Sequence, residues 1–93
     1  MSVRDTSYIE YGLTKEDVNR LIEYCISATA DTDLINECAK KSNIGIANYI
    51  VLSVVNSWSY DRMQAKWHIP MKKTDFYGYR RKFFAILNEQ LKG

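Results

Sequence analysis

Residues 57–70 are SWSYDRMQAKWHIP and residues 71–87 are MKKTDFYGYRRKFFAIL, and this stretch decides the fold. A short helix is predicted to begin after Ser59, which can cap it, and the pair Ile69-Pro70 ends this helix, because the residue before a proline avoids the helical region. A longer helix, rich in basic and aromatic residues, is expected over residues 72–92. Two helices joined by a tight turn are typical of a helix-turn-helix, whose second helix can enter the major groove of DNA.

The periodicity of the last helix predicts which of its sides faces the core. At about 100° per residue, one side collects Phe76, Tyr79, Phe83, Ile86, Leu87 and Gln90. The other side collects Thr74, Tyr77, Gly78, Arg81, Lys82, Ala85 and Asn88, with Arg80 and Phe84 at the boundary. We therefore expect the second side to face solvent, with Tyr77 as an exposed aromatic residue.

Two helices are well marked near the start of the chain. Thr14 is a suitable N-cap with Asp17 three residues later, and an apolar stripe at helical spacing follows. A second helix is predicted over residues 33–41, with Asp31 or Thr32 as its cap.

A third helix is predicted over residues 44–56, with Ser42 or Asn43 as its cap. This segment contains several β-branched residues, so a buried strand over residues 49–55 is the alternative. We prefer the helix, because thirteen residues pass without a helix breaker. Since the segment is apolar on most sides, we expect it to lie centrally.

These elements predict an all-α fold, a compact bundle of about five helices with a C-terminal helix-turn-helix. The 93 residues are enough for one small domain. Within it, residues 1–13 would form an N-terminal arm, residues 14–56 a helical support and residues 57–92 the helix-turn-helix-like unit. Four glycines and one proline leave little material for a turn-dense β fold.

Composition argues against several classes of function. No apolar run approaches the ~18 residues that span a membrane, and no apolar signal core begins the chain. A soluble, cytoplasmic protein without a membrane partner is therefore expected. Cys25 and Cys38 fall at apolar helical positions and are expected to be buried and free. Together with His68 they lack the paired spacing of zinc motifs, and phosphate-binding loops are absent. We expect no metal, no cofactor and no enzymatic activity.

The formal charge is divided unevenly along the chain. Residues 1–60 hold five Lys/Arg and eight Asp/Glu, whereas residues 61–93 hold eight Lys/Arg and three Asp/Glu. Such a division can present one basic face to a nucleic acid. Alternatively, the acidic and basic parts attract each other across the core.

The candidate DNA contacts lie at the start of the last helix and on its solvent-facing side. Backbone amides at a helix N-terminus attract phosphate, and exposed Lys or Arg neutralises it. Arg81 is the best candidate for a guanine contact, because its planar guanidinium can bind two acceptors. Arg80 has an alternative role, an ion pair with Glu16, Asp17 or Glu23. The complete set of candidates is Lys72, Lys73, Thr74, Tyr77, Arg81 and Lys82.

Residues 57–91 resemble the C-terminal part of small Gram-positive phage regulators of the ArpU and RinA type. That part is similar to the DNA-binding region 4 of sigma factors. The resemblance rests on SYDRM at residues 59–63 and on Ile69, Pro70, Phe76, Tyr77, Arg80, Arg81 and Lys82. It implies a phage or mobile-element transcription regulator that reads duplex DNA with the basic helix of residues 72–92.

Double-stranded DNA is therefore the expected partner. A single small DNA-binding domain makes few contacts with DNA, so useful specificity would require a homodimer or a second protein. The alternative is a small phage-encoded protein-interaction module, which would act as an inhibitor or adaptor of a host protein such as a nuclease or a polymerase.

Overall fold

Five α-helices organise residues 12–92, the part of the chain that the computed structural model describes. They are α1 (Lys15–Ile26), α2 (Thr32–Asn43), α3 (Ala47–Asn56), α4 (Tyr60–Lys66) and α5 (Lys73–Lys92). No strand occurs between residues 12 and 92, so the all-α prediction is confirmed. The predicted N-terminal arm lies largely outside the described residues; of its last two residues, Leu13 is buried.

Local side-chain caps explain where three of the helices begin. The Asp17 amide donates to Thr14 Oγ1 at 3.1 Å, and the Thr14 amide donates to Asp17 Oδ2 at 3.0 Å, forming a complete capping box at α1. Asp31 accepts a hydrogen bond from the Leu34 amide at the start of α2, and Ser59 caps α4 in the same way. The caps predicted at these starts are confirmed, with Asp31 rather than Thr32 at α2.

The segment that leads into α3 departs from the prediction. Residues 47–56 are helical, so the strand alternative is wrong, but the helix begins three residues later than predicted. The delay arises because α2 continues to Asn43, whose side-chain oxygen accepts a hydrogen bond from the Gly45 amide at 2.9 Å. This contact closes a turn between the two helices, and no side chain caps α3 at Ile46.

Helix α5, and not α3 as the sequence predicts, is the central element of the bundle. It contacts each of the other four helices and packs most extensively against α2. The Ser42 hydroxyl donates to the Tyr79 carbonyl at 2.6 Å, which ties the end of α2 to the middle of α5. The buried residues of α5 are Phe76, Gly78, Phe83, Phe84, Leu87 and Asn88. The burial of three phenylalanines in one helix indicates that α5 supplies much of the hydrophobic core.

The predicted solvent side of α5 is therefore partly wrong. Gly78 and Asn88 were assigned to that side but are buried, because neighbouring helices cover α5 over more than one face. Asn88 keeps a polar partner: Arg20 of α1 donates to its Oδ1 at 2.9 Å. Gln90 was assigned to the core side and is exposed in the last turn.

The relation between α4 and α5 does not confirm a helix-turn-helix. The two helices follow one another across residues 67–72, but α5 contacts α4 less extensively than it contacts α1, α2 or α3. The helix-turn-helix stays a prediction from the sequence. Among the helices of residues 12–92, none combines the length and the apolar character that a bilayer crossing requires.

Candidate nucleic-acid interface

The start of α5 carries three of the predicted contact residues on its surface. Lys72, Lys73 and Thr74 are all exposed. The Lys73 ammonium donates to Asp61 Oδ2 at 2.8 Å, and this hydrogen bond raises the pKa of Lys73. Lys73 therefore keeps its charge, and the contact links the first turn of α4 to the first turn of α5. Because both groups are exposed, the ion pair adds little stability and can open when another anion approaches.

The other three predicted contacts lie further along α5 and are partly buried. They are Tyr77, Arg81 and Lys82. The expectation that Tyr77 is freely exposed is wrong: its phenolic oxygen accepts a hydrogen bond from the Tyr60 amide at 3.0 Å, and its ring contacts Phe76 edge-on at 5.5 Å. Between residues 75 and 88, no residue of α5 is fully exposed. The two sets thus differ in burial: the three candidates at the start of α5 are exposed, whereas the three further along it are half-buried.

Arg80 is held by aromatic rings rather than by a carboxylate. Its guanidinium carbon lies 5.7 Å from the centre of the Tyr77 ring and 5.4 Å from that of Phe84, which are cation–π distances. No ion pair with Glu16, Asp17 or Glu23 is present within residues 12–92, so that alternative is wrong. The Arg80 Nε is buried without a hydrogen-bond partner. Arg80 therefore contributes to the packing of α5 through Tyr77 and Phe84.

A cluster that the sequence reasoning missed lies around α4. Trp58 and Trp67, on either side of α4, stack with ring centres 5.8 Å apart. The Arg62 guanidinium lies 4.6 Å from the Trp58 ring, and the Lys66 ammonium lies 5.3 Å from the Trp67 ring. We refer to these four residues as the cation–tryptophan stack. Both tryptophans are half-buried and both cations are exposed.

One sequence signal points to this stack. Arg62 and Lys66 are four residues apart, which places them on the same side of α4. Each of the two tryptophans lies just outside one end of that helix, four residues before Arg62 and one after Lys66. The sequence did not indicate that the two tryptophan rings, from opposite ends of α4, would meet.

Hydrogen bonds fix the connection between α4 and α5 in one arrangement. The Tyr60 hydroxyl donates to the Met71 carbonyl at 2.6 Å, and Gln64 Oε1 accepts a hydrogen bond from the Ile69 amide at 2.7 Å. Both Tyr60 and Ile69 are buried. The lysines that follow the connection are therefore presented from an ordered support rather than from a free loop.

The exposed charges at this end of the molecule are mostly positive. Residues 60–75 contain four Lys/Arg and two acidic residues, the exposed Asp61 and the half-buried Asp75 in the first turn of α5. The four cations are exposed, and we call them the cationic end: Arg62, Lys66, Lys72 and Lys73. Apart from Lys73, none forms an ion pair within residues 12–92. Such a surface attracts phosphate, and the adjoining tryptophans offer flat apolar area beside it.

The two cysteines offer no accessible nucleophile. Both are free and buried, as predicted. Burial raises the pKa of Cys25 to about 12 and also raises the pKa of Cys38, and the positive charge of Arg80 opposes this effect only partly at Cys25. Their thiols stay protonated near neutral pH and behave as small apolar groups. Within residues 12–92, no group of three potential metal ligands converges.

Comparison of the chain with protein-family models, with curated proteins and with solved structures finds no match.

Proposed function

We propose that the protein binds duplex DNA through the cationic end and acts as a phage-type transcription regulator. The observation that carries the proposal is that α4, the α4–α5 connection and the start of α5 carry four exposed cations, whereas of the two acidic residues in residues 60–75 Asp61 is exposed and Asp75 is half-buried. DNA affinity at physiological salt depends largely on such cations, because each phosphate contact releases condensed counterions. The resemblance of residues 57–91 to phage regulators supports the same proposal and suggests the biological role.

The geometry favours the start of α5, rather than its flank, as the part that approaches the bases. In helix-turn-helix proteins the N-terminal residues of the recognition helix contact base edges. Lys72, Lys73 and Thr74 are exposed there, and lysine and threonine side chains can both bond to base edges. Tyr77 and Arg81 lie farther back and are partly buried. In this proposal they support the start of α5 and do not enter the groove first.

Helix α4 would contact the phosphate backbone beside the groove. Arg62 and Lys66 are four residues apart, about 6 Å along the helix axis, and both project from the side that carries the tryptophans. Their cation–π contacts restrict their motion, so less conformational entropy is lost when they meet phosphate. Opening of the exposed Lys73–Asp61 pair would release a further cation for the DNA.

The test is a fluorescence-anisotropy titration of a labelled, mixed-sequence duplex, at several salt concentrations between about 50 and 200 mM. The double variant Arg62→Gln/Lys66→Gln should bind at least about tenfold more weakly. The slope of log affinity against log salt should fall by about 2, which is roughly one per lost phosphate contact.

A matched control removes the same charge from positions outside the cationic end. Lys15 at the start of α1 and Lys92 at the end of α5 are both exposed, so Lys15→Gln/Lys92→Gln changes the net charge equally. This variant should retain most of the affinity. The proposal is wrong if the wild-type protein does not bind duplex DNA over this salt range, or if the two double variants lose affinity to the same extent while both keep their helical circular-dichroism spectra.

A further inference from the structure

Helix α3 carries two apolar stripes, and one of them remains partly open to solvent. Its inward stripe, which includes Ala47, Ile50 and Val54, is buried in the core. Its second stripe contains Val51, Leu52 and Val55, all half-buried, beside the exposed Asn48. A helix in a small monomeric bundle normally carries polar residues on the side away from the core.

An open groove of about 620 Å³ lies along this second stripe. Val51 and Leu52 line it together with Asn48 and Tyr49 from α3, Asn36 from α2, and Trp67. Ile44, in the turn between α2 and α3, forms part of its edge. Ile44 is 80% exposed, the most exposed of the large apolar side chains of residues 12–92. An apolar knob therefore projects next to a depression that is lined by apolar residues together with Asn36 and Asn48.

The groove is also free of formal charge. Residues 42–60 contain no Asp, Glu, Lys, Arg or His, and no charged residue lines the groove. In a two-fold symmetric contact the same patch is present on both sides, so a net charge on the patch would meet its own copy and repel it. A neutral patch avoids this repulsion. By contrast, interfaces with a different protein commonly use complementary charges for specificity, and this groove offers none.

We propose that the groove is filled by a second copy of this chain, related by a two-fold axis. Ile44 of each copy would insert into the groove of the other, and the second stripes of the two α3 helices would pack together. The adjacent knob and depression make the patch self-complementary, which is the requirement of a two-fold interface. This dimer does not depend on DNA binding; where both occur, it supplies two cationic ends instead of one.

The oligomeric state tests this proposal directly. Sedimentation equilibrium of the full chain, across a wide concentration range and without DNA, should show a monomer–dimer equilibrium. Ile44→Glu places a carboxylate in the contact and should raise the dimer dissociation constant at least about tenfold. Ile26→Glu is the matched control, because Ile26 is a 50% exposed isoleucine at the end of α1. This control should dimerise like the wild-type protein.

Thiol crosslinking locates the interface independently. Since Cys25 and Cys38 are buried, Asn48→Cys introduces an accessible thiol at the groove, and a short bismaleimide should join two copies covalently. Asn19→Cys, at an exposed asparagine of α1, should give little crosslinked dimer. If the wild-type protein stays monomeric at every concentration, the proposal is wrong. This holds even if Ile44→Glu weakens binding to some other protein, because the groove would then have a different occupant. The proposal is also overturned by an Ile44→Glu variant that dimerises as the wild type does, or by equal crosslinking at both positions.

Discussion

The phenolic oxygen of Tyr77 accepts a hydrogen bond from the backbone amide of Tyr60, 3.0 Å away. Tyr60 is the first residue of α4, and amides in the first turn of a helix have no partner within the helix. A side chain of α5 therefore satisfies the start of α4. Because the contact is partly buried, it fixes the position of α4 relative to α5, and with it the spacing of the cations on the two helices.

Replacing Tyr77 by phenylalanine removes this acceptor and keeps the ring. We expect Tyr77→Phe to lower the free energy of unfolding by about 1 kcal/mol, because a partly buried amide loses its partner. Urea unfolding followed by circular dichroism measures the change.

Tyr24→Phe is the matched control. The Tyr24 hydroxyl also accepts a hydrogen bond from a backbone amide, that of Asp31, but at an exposed site. Water can replace that bond, so the control should lose less than about 0.5 kcal/mol. Equal losses in the two variants would contradict the structural role of Tyr77.

This contact illustrates what the sequence predicts and what it does not. The caps Thr14, Asp31 and Ser59 are local features, since each side chain bonds to an amide three residues later, and they were predictable. The orientation of α5 was not, because aromatic and aliphatic residues occur around most of its circumference and the neighbouring helices determine which of them are buried.

The candidate site shows the same limit of local reasoning. The exposure of Lys72, Lys73 and Thr74 follows from their position at the start of a helix, next to the turn. The half-burial of Tyr77 and Arg81 depends on long-range packing, as does the meeting of Trp58 with Trp67. A periodicity argument assigns each residue to a side of its own helix, and it contains no information about how many sides are covered.

Ser57 ends α3 in a conformation that disfavours its side chain. Its φ of 58° and ψ of 37° lie in the left-handed region, which costs a residue with a Cβ about 1–2 kcal/mol. Glycine adopts this region freely but loses more entropy on folding. We therefore expect Ser57→Gly to raise the free energy of unfolding by about 0.5–1 kcal/mol in a urea titration. Ser27, the C-cap of α1, has a φ of −69°, so Ser27→Gly should instead destabilise the protein. If both variants shift stability in the same direction, the left-handed geometry of Ser57 is not the cause.

The capping box of α1 should make stability depend on acid pH. Hydrogen bonds from Thr14, first from its amide and then from its hydroxyl, lower the pKa of Asp17 in the folded protein below its ordinary value of 3.8. Because the pKa of Asp17 is lower in the folded than in the unfolded protein, this stabilisation is fully present at pH values above the pKa of the unfolded state. It is lost as the pH falls through the folded pKa. Below about pH 4, the wild-type protein should therefore lose this stabilisation. The Asp17→Asn variant has no ionisable group at this position and should not show that loss.

Thermal unfolding of both proteins between neutral and acid pH measures this difference. Glu16→Gln is the matched control, because Glu16 is also exposed in the first turn of α1 but takes no part in the capping box. The control should follow the wild-type dependence on pH. A constant difference in melting temperature between wild type and Asp17→Asn, at all pH values, would exclude Asp17 as the responsible group.

The buried cysteines should resist thiol reagents until the protein unfolds. With a pKa of about 12, the thiolate fraction of Cys25 at pH 8 is on the order of 10⁻⁴, and the thiolate is the reactive species. Burial of the sulfur also blocks access, since Cys25 and Cys38 are each no more than 2% exposed.

A chromogenic disulfide reagent should therefore react with the native protein at a rate limited by opening of the bundle. In concentrated urea it should react with both thiols at once. Asn19→Cys, at an exposed position of α1 outside the proposed dimer contact, provides the reference for an accessible thiol and should release one equivalent of chromophore immediately under native conditions. Equally fast reaction of the wild-type protein would show that the core around α1, α2 and α5 opens far more readily than its packing indicates.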